Sequence, residues 1–255
     1  MATKDFAHLH VHTEYSMLDG AARLGDLFTH AKELGMKSMA TSDHGFLFGA
    51  FDFWRQAKAH DIKPIIGVEA YLTPGTHRTD RSRVRWGDGS RDDVSGGGAY
   101  THMTMWAETT EGMHNLFRAS SIASLEGQLY KPRMDREVLQ TYSKGLIATT
   151  GCPSGEIQTR LRLGQFDEAI QAASDFRDIF GKDNFYCEVM DHGLDIERNV
   201  QEDLHRLAKQ LNLPYVATND LHYTRQEDHT AHAALLCVQS GSTLTDPKRF
   251  KFDAD

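Results

Sequence analysis

The sequence predicts an α/β fold, a seven-stranded parallel βα barrel, with an open doubly wound sheet as the alternative. Three observations point there. Short apolar runs alternate with longer segments of helical period, the pattern of βα units. Seven such runs fall within 255 residues, a length that suits one large domain or two small ones. Residue types that ligate metals recur where these runs end, and the C-terminal strand ends of a parallel barrel all open on one face.

In chain order the strand candidates are Phe6 to Val11, Ser38 to Thr41, Ile62 to Tyr71, Tyr100 to Ala107, Gly145 to Thr149, Asn184 to Met190 and Pro214 to Thr218. Each is short and apolar and is bounded by polar or glycine-containing text. Helices are expected at Leu24 to Leu34, Gly49 to His60, Met113 to Ser124, Phe166 to Phe180 and Ile196 to Leu211, where apolar positions recur with helical spacing. The stretch from Thr73 to Ala99 has no apolar period. It mixes Arg78, Arg81, Arg83, Arg85 and Arg91 with Asp80, Asp88, Asp92 and Asp93, and runs through Gly96, Gly97 and Gly98. A mobile, solvated surface loop is expected there.

Composition narrows the function classes. Hydrophobic residues make up 40% and charged residues 25%, which excludes disordered, collagen-like and coiled-coil chains. No apolar run approaches the ~18 residues that span a bilayer, and Met1 to Asp5 lacks a signal-peptide pattern, so a cytoplasmic protein is expected. Cys152, Cys187 and Cys237 are odd in number and widely spaced, which argues for reduced thiols. The net charge of −8 disfavours a surface that grips nucleic acid everywhere but allows a small basic channel. Histidine stands out, at 14 residues, as the commonest metal ligand.

His10 and His12 lie two apart in a strand-like run and so share a face. Alone that is weak. Asp19 follows in a polar turn, Asp43-His44 ends the second run, Glu69 lies in the third, His102 in the fourth, and Cys152 follows the fifth. Glu188, Asp191 and His192 lie near the end of the sixth, as wall or helpers, and Asp220 and His222 end the seventh. The nine donors His10, His12, Asp19, His44, Glu69, His102, Cys152, Asp220 and His222 exceed the three or four protein ligands of one zinc site, which points to two or three divalent ions. Zinc, manganese and iron all suit this mixture. Clustered cations suit phosphate-ester hydrolysis, since they activate water and neutralise phosphoryl oxygens.

Read in order, these motifs resemble a known family, the polymerase and histidinol phosphatase (PHP) domain, in the version that opens bacterial replicative DNA polymerase III alpha subunits. The resemblance rests on Leu9-His10-Val11-His12, Asp43-His44 and Gly67-Val68-Glu69. It rests also on Ser16-Met17-Leu18-Asp19-Gly20, Phe48-Gly49-Ala50, Lys63-Pro64-Ile65-Ile66-Gly67, Lys131-Pro132-Arg133 and Asn219-Asp220-Leu221-His222-Tyr223. Gly151-Cys152-Pro153-Ser154-Gly155 looks most like actinobacterial members.

The resemblance implies one PHP domain over residues 1–255, the N-terminal part of a larger polymerase chain, with a distorted seven-stranded barrel and a three-metal site. His10, His12, Glu69 and Asp220 would hold one ion. Glu69, His102 and Cys152 would hold a second, and Asp19, His44 and His222 a third. The implied activity is a metal-dependent 3′ to 5′ exonuclease that proofreads, with His12, Asp19, Glu69 and Asp220 as the expected catalytic set. A structural metal scaffold and a histidinol-phosphatase-like phosphomonoesterase are the alternatives. The implied partners are a DNA 3′ end, the remaining polymerase domains and replisome proteins, with no membrane. Tyr130, Lys131 and Arg133, next to Arg136, are the expected substrate-binding edge.

Overall fold

A computed structural model describes residues 6–88 and 93–251. Arg91 and Asp92 of the expected loop, with residues 1–5 and 252–255, lie outside the described residues. The first amphipathic helix, α1 (Leu24–Glu33), buries Leu24, Leu27, Phe28 and Ala31, the one face that its spacing predicts. It is followed by β1 (Ser38–Thr41), α2 (Ala50–Ala59) and the long β2 (Lys63–Leu72). Together α1 and α2 cover β1 with a core of Phe28, Met39 and Phe53.

After one irregular turn, α3 (Ser95–Gly98), come β3 (Thr101–Ala107) and α4 (Thr110–Glu126). A tight pair, β4 (Gln128–Leu129) and β5 (Lys131–Met134), leads into α5 (Arg136–Tyr142) and β6 (Leu146–Thr149). The chain continues through α6 (Glu156–Arg162), α7 (Phe166–Phe180), β7 (Phe185–Val189), α8 (Asp195–Leu211), β8 (Tyr215–Ala217) and α9 (His229–Ser240). Helices α4 to α8 enclose the larger core, in which Val68, Met105, Leu116, Phe176 and Phe185 are buried.

The strands form one curled, half-barrel sheet in the order β4-β5-β2-β3-β6-β7-β8, with β1 on β2. The expected all-parallel seven-stranded barrel needs correction. The sheet has eight strands and is mixed, because β3 runs antiparallel to both β2 and β6. Hydrophobic period carries no strand direction. Gly67 sits where β2 crosses β3, and a Cβ there would collide with the Met105 carbonyl and the Trp106 ring. The run Phe6 to Val11 forms no strand; it contributes a single parallel bridge from Val11 to Leu221. Backbone bonds from Ala40 to His8, Ser42 to Val11 and His12 to Leu221 still hold this segment between β1 and the residues after β8.

Residues 73–88 contain neither helix nor strand, but their arginines do more than solvate. Arg78 pairs with Glu126, Asp135 and Glu137, and Arg83 donates to the carbonyls of Gly96 and Gly97. The Arg160 guanidinium lies 3.7 Å from the centre of the Trp86 ring. These contacts tie the loop to α4, α5 and α6.

Candidate metal centre

The bridge segment at Val11 points His10 and His12 into the mouth of the sheet, and both are fully buried. Gly20 allows the following turn to fold under them, since a Cβ there would strike the Thr13 carbonyl. That turn delivers Asp19. Glu69 rises from β2, where it is backed by the Ser42 and Asp43 carbonyls. His102 is the second residue of β3, not the last. Because β3 is reversed, its start reaches the mouth that the other strands reach with their ends.

Glu69 is the hub. Its Oε1 lies 3.1 Å from His102 Nδ1, 3.5 Å from His10 Nε2 and 3.1 Å from Cys152 Sγ. Its Oε2 lies 2.8 Å from His44 Nδ1 and 3.5 Å from His12 Nε2. Asp220 Oδ1 stands 3.2 Å from Nε2 of both His10 and His12. Asp19 Oδ2 lies 2.6 Å from His44 Nε2 and 3.3 Å from His222 Nε2. The structure therefore brings all nine sequence-selected donors together, each within 3.5 Å of another.

The donor chemistry fits divalent cations. His10 Nε2, His12 Nε2, His44 Nδ1 and Asp220 Oδ1 are buried without an aligned hydrogen-bond partner, even where an oxygen lies near. Buried polar atoms are normally satisfied. Nitrogen lone pairs and carboxylate oxygens that face one another repel unless a cation or proton lies between. Three groupings can each surround an ion: His10, His12 and Asp220; His44, Glu69 and His102; and His12, His44 and His222. A fourth, His77, Asp135 and Glu137, already holds a guanidinium, with Arg78 Nη1 3.1 Å from both carboxylates.

Without cations, protons balance the site. Burial opposes charge on Glu69, but His102 and His44 hold its carboxyl well below the usual range. Asp19 and Asp220 are also lowered against the effect of burial, Asp19 by hydrogen bonds from His222 and His44, Asp220 by the charges of His10 and His222. Burial would lower His44, yet Glu69 and Asp19 raise it to about 10. His12 goes the other way, to about 3, because it is buried and faces the positive charges of His44 and His222. Burial and then Glu69 and Asp220 push the Cys152 thiol up. Loading metal therefore has to displace protons.

Asp220 has φ 45°, a left-handed backbone that aspartate tolerates at modest cost and that turns its carboxylate into the mouth. Behind the donors lie residues that strand patterning missed. Asp43 accepts from Ser16 Oγ at 2.8 Å, and Ser16 in turn holds His12 Nδ1 at 2.9 Å. The Asp220 carbonyl holds His222 Nδ1 at 2.7 Å. Asp43 was visible in the Asp-His motif and Ser16 opened the Ser16-Met17-Leu18-Asp19-Gly20 motif, but no sequence signal puts Ser16 beside His12. His192 is tied to Glu197 at 2.6 Å and to the Asn219 carbonyl at 2.7 Å, so it braces the loop that carries Asp220. The Asp191 carboxylate accepts from the Gly193 amide, which fixes its own turn.

The expected substrate edge divides. Tyr130 is exposed, and Lys131 Nζ lies 5.3 Å from the centre of the Tyr71 ring, beside His44 and His102. Arg133 does not belong to this edge. It is 1% exposed and gives four of its five guanidinium N–H groups to the carbonyls of Gly127, Ala99, Arg78 and Asp80, so it is turned inward and not toward a ligand.

Comparison with known proteins agrees with this geometry. The PHP domain model matches residues 8–192. The DNA polymerase III subunit alpha of Saccharopolyspora erythraea is 59% identical over the whole chain, and that of Mycobacterium tuberculosis 55%. The counterpart from Deinococcus radiodurans is 44% identical over 99% of the chain. The chain spans about a fifth of the length of these relatives, 22%, 22% and 18%. Two solved structures share the fold at 14% identity and a TM-score of 0.51. One is an amidohydrolase from Chromobacterium violaceum, with 87% of this chain and 89% of that one aligned. The other is a two-domain PHP-like protein from Bacteroides vulgatus, with 93% and 55% aligned. No helix among the described residues is long and apolar enough to cross a membrane. From the matched residues and the relatives together, the chain belongs to the PHP domain family.

Proposed function

We propose that this chain is a metal-dependent phosphoesterase domain of a replicative polymerase, acting as a 3′ to 5′ exonuclease on DNA. The observation that carries the reading is the convergence of the nine donors, four of them with orphaned buried atoms, on one mouth of the sheet. His10, His12, Glu69 and Asp220 would hold one ion, Glu69 with His102 and Cys152 a second, and Asp19 with His44 and His222 a third. When bound, such cations lower the pKa of an attacking water and neutralise phosphoryl oxygens.

The chain's own residues set the geometry. Asp19, His44, His102 and Asp220 keep 13–20% of their side chains open to solvent, so the outer half of the cluster is reachable by a phosphodiester. Lys131, over Tyr71, is placed to meet the backbone phosphate of a strand that enters there. The similarity to polymerase alpha subunits, of which the chain spans about a fifth, supports other domains of such a subunit as partners; a DNA 3′ end as substrate and replisome proteins as further partners complete the proposal.

One observation favours a second reading. His10, His12 and Glu69 are at most 1% exposed, the depth of a site that holds a fold together. A single assay separates the two. With 5′-labelled single-stranded DNA and titrated Mn²⁺ or Zn²⁺, the expected product is a one-nucleotide ladder that chelator, Asp19→Asn and His12→Ala abolish. Bound metal that raises the melting temperature with no DNA hydrolysis would establish the scaffold. Hydrolysis of p-nitrophenyl phosphate alone would establish a phosphomonoesterase.

A further inference from the structure

Glu188, on β7, lies behind the donor cluster and is 0% exposed. We infer that Glu188 is the positioning residue of the metal centre, fixing His10 so that its Nε2 lone pair meets the ion; this deepens the metal-centre reading above and rests on it. Glu188 Oε1 lies 2.8 Å from His10 Nδ1 and accepts from Thr218 Oγ1 at 2.6 Å. Its Oε2 accepts from Thr149 Oγ1 at 2.5 Å, and its backbone amide donates to Thr150 Oγ1 at 3.0 Å. The ends of three adjacent strands thus clasp one carboxylate.

A carboxylate accepts and cannot donate, so the proton of this contact belongs to His10 Nδ1. The other nitrogen is then the one that offers a lone pair once metal displaces the proton it carries in the metal-free site. That Nε2 faces Asp220 Oδ1 at 3.2 Å and Glu69 Oε1 at 3.5 Å, both acceptors, and has no aligned partner. Among the described residues, Thr104 Oγ1, at 3.3 Å from Nδ1, is the competing contact at that nitrogen, and it is longer. Neutral oxygens hold the Nδ1 atoms of His12 and His222, those of Ser16 and of the Asp220 carbonyl. Of these three histidines, His10 has a carboxylate at hydrogen-bond distance from Nδ1, whereas the Asp220 carboxylate stands 3.7 Å from His222 Nδ1; that contact raises the basicity of the nitrogen His10 offers.

The test uses the full chain and Mn²⁺ alone, with affinity measured by titration against a chelator for the parent, Glu188→Gln, His10→Ala and the double variant. Glu188→Gln is expected to weaken binding ~10–100-fold, the usual cost of losing such a partner. His10→Ala should weaken it at least as much, and the double variant no further, because Glu188 acts through His10. Nitrogen NMR of the metal-free protein should report a proton held on His10 Nδ1 in the parent and its loss in Glu188→Leu. Unchanged affinity in Glu188→Gln beside a weakened His10→Ala overturns the inference and leaves the metal centre standing. Unchanged affinity in both overturns the metal centre itself. Additive losses in the double variant overturn the route through His10. Should Glu188→Gln fail to fold, Thr218→Val removes one clasp bond, and unchanged affinity there overturns the inference too.

Discussion

Arg133 and the His10–Asp220 cluster are both buried and both polar, yet the fold treats them in opposite ways. Arg133 gives four of its five guanidinium N–H groups to backbone carbonyls, and nothing about it asks for a ligand. The cluster packs five imidazoles, three carboxylates and a thiol, and leaves at least four of those atoms unaligned. The contrast separates structural burial from functional burial. A buried charge that is saturated fixes the chain, whereas one that is close to its neighbours but unaligned is organised around something else.

The strongest way to break this contrast is to remove one donor. His12→Ala or Asp220→Ala should weaken divalent-metal binding by more than the ~10–100-fold that an outer-shell partner carries, and abolish any metal-dependent rise in melting temperature. Calorimetric titration and thermal melts with and without chelator check it. Retained metal stabilisation in both would merge the two kinds of burial into one.

Arg133→Met comes next, and its expected damage is to folding. Three carbonyls lose their donor, since the Arg133 amide still serves Gly127, at ~1–3 kcal/mol for each one left unsatisfied, so a loss of ~3 kcal/mol is expected in denaturant unfolding. Metal affinity of the folded fraction should stay at the parental value.

A smaller effect belongs to Asp135, which caps α5 through the Val138 amide and receives Arg78. Burial opposes its charge, but the Val138 and Arg78 amides and the Arg78 side chain hold its carboxyl below 3.8. A depressed carboxyl stabilises the fold above its unfolded value and loses that contribution as pH falls through the folded one. Asp135→Asn keeps a capping oxygen but loses the charged pairing with Arg78, so it should cost ~1 kcal/mol at neutral pH. The gap from the parent should narrow below pH 3.8 in acid unfolding curves.

The smallest effect is expected at the rim. Lys131→Ala should leave folding and metal binding unchanged and lower the salt dependence of DNA binding by about one unit of slope. A change in metal affinity there would mean that the rim and the centre are not separate.

Much of this was legible in the sequence, and the failures have physical causes. β1 and α7 begin and end where Ser38 to Thr41 and Phe166 to Phe180 were expected, because an isolated apolar run and a clean helical face need no tertiary information. β5 was missed because Lys131 and Arg133 look solvated, and only the carbonyls around Arg133 make it a buried position. Helix α9 buries few of its residues, His232, Leu236 and Cys237 among them, so it lacks the broad apolar stripe that reveals a helix. The donors themselves were found, since recurrence at run ends survives ignorance of strand direction. Glu188 stayed undecided because the hydroxyls that define it, Thr149 and Thr218, are remote in sequence and chemically bland.

The reversal of β3 also decides what can be altered around the mouth. β2 finishes there and β3 starts there, so the whole connection from residue 73 to residue 100 departs from and returns to the same rim. In an all-parallel arrangement that connection would have to cross to the far side before the next strand could begin. Lengthening or shortening it beyond Asp80, whose carbonyl and that of Arg78 hold Arg133 of β5, leaves every strand register intact, so evolution or design could remodel the approach to the donors while the sheet that holds them stays as it is.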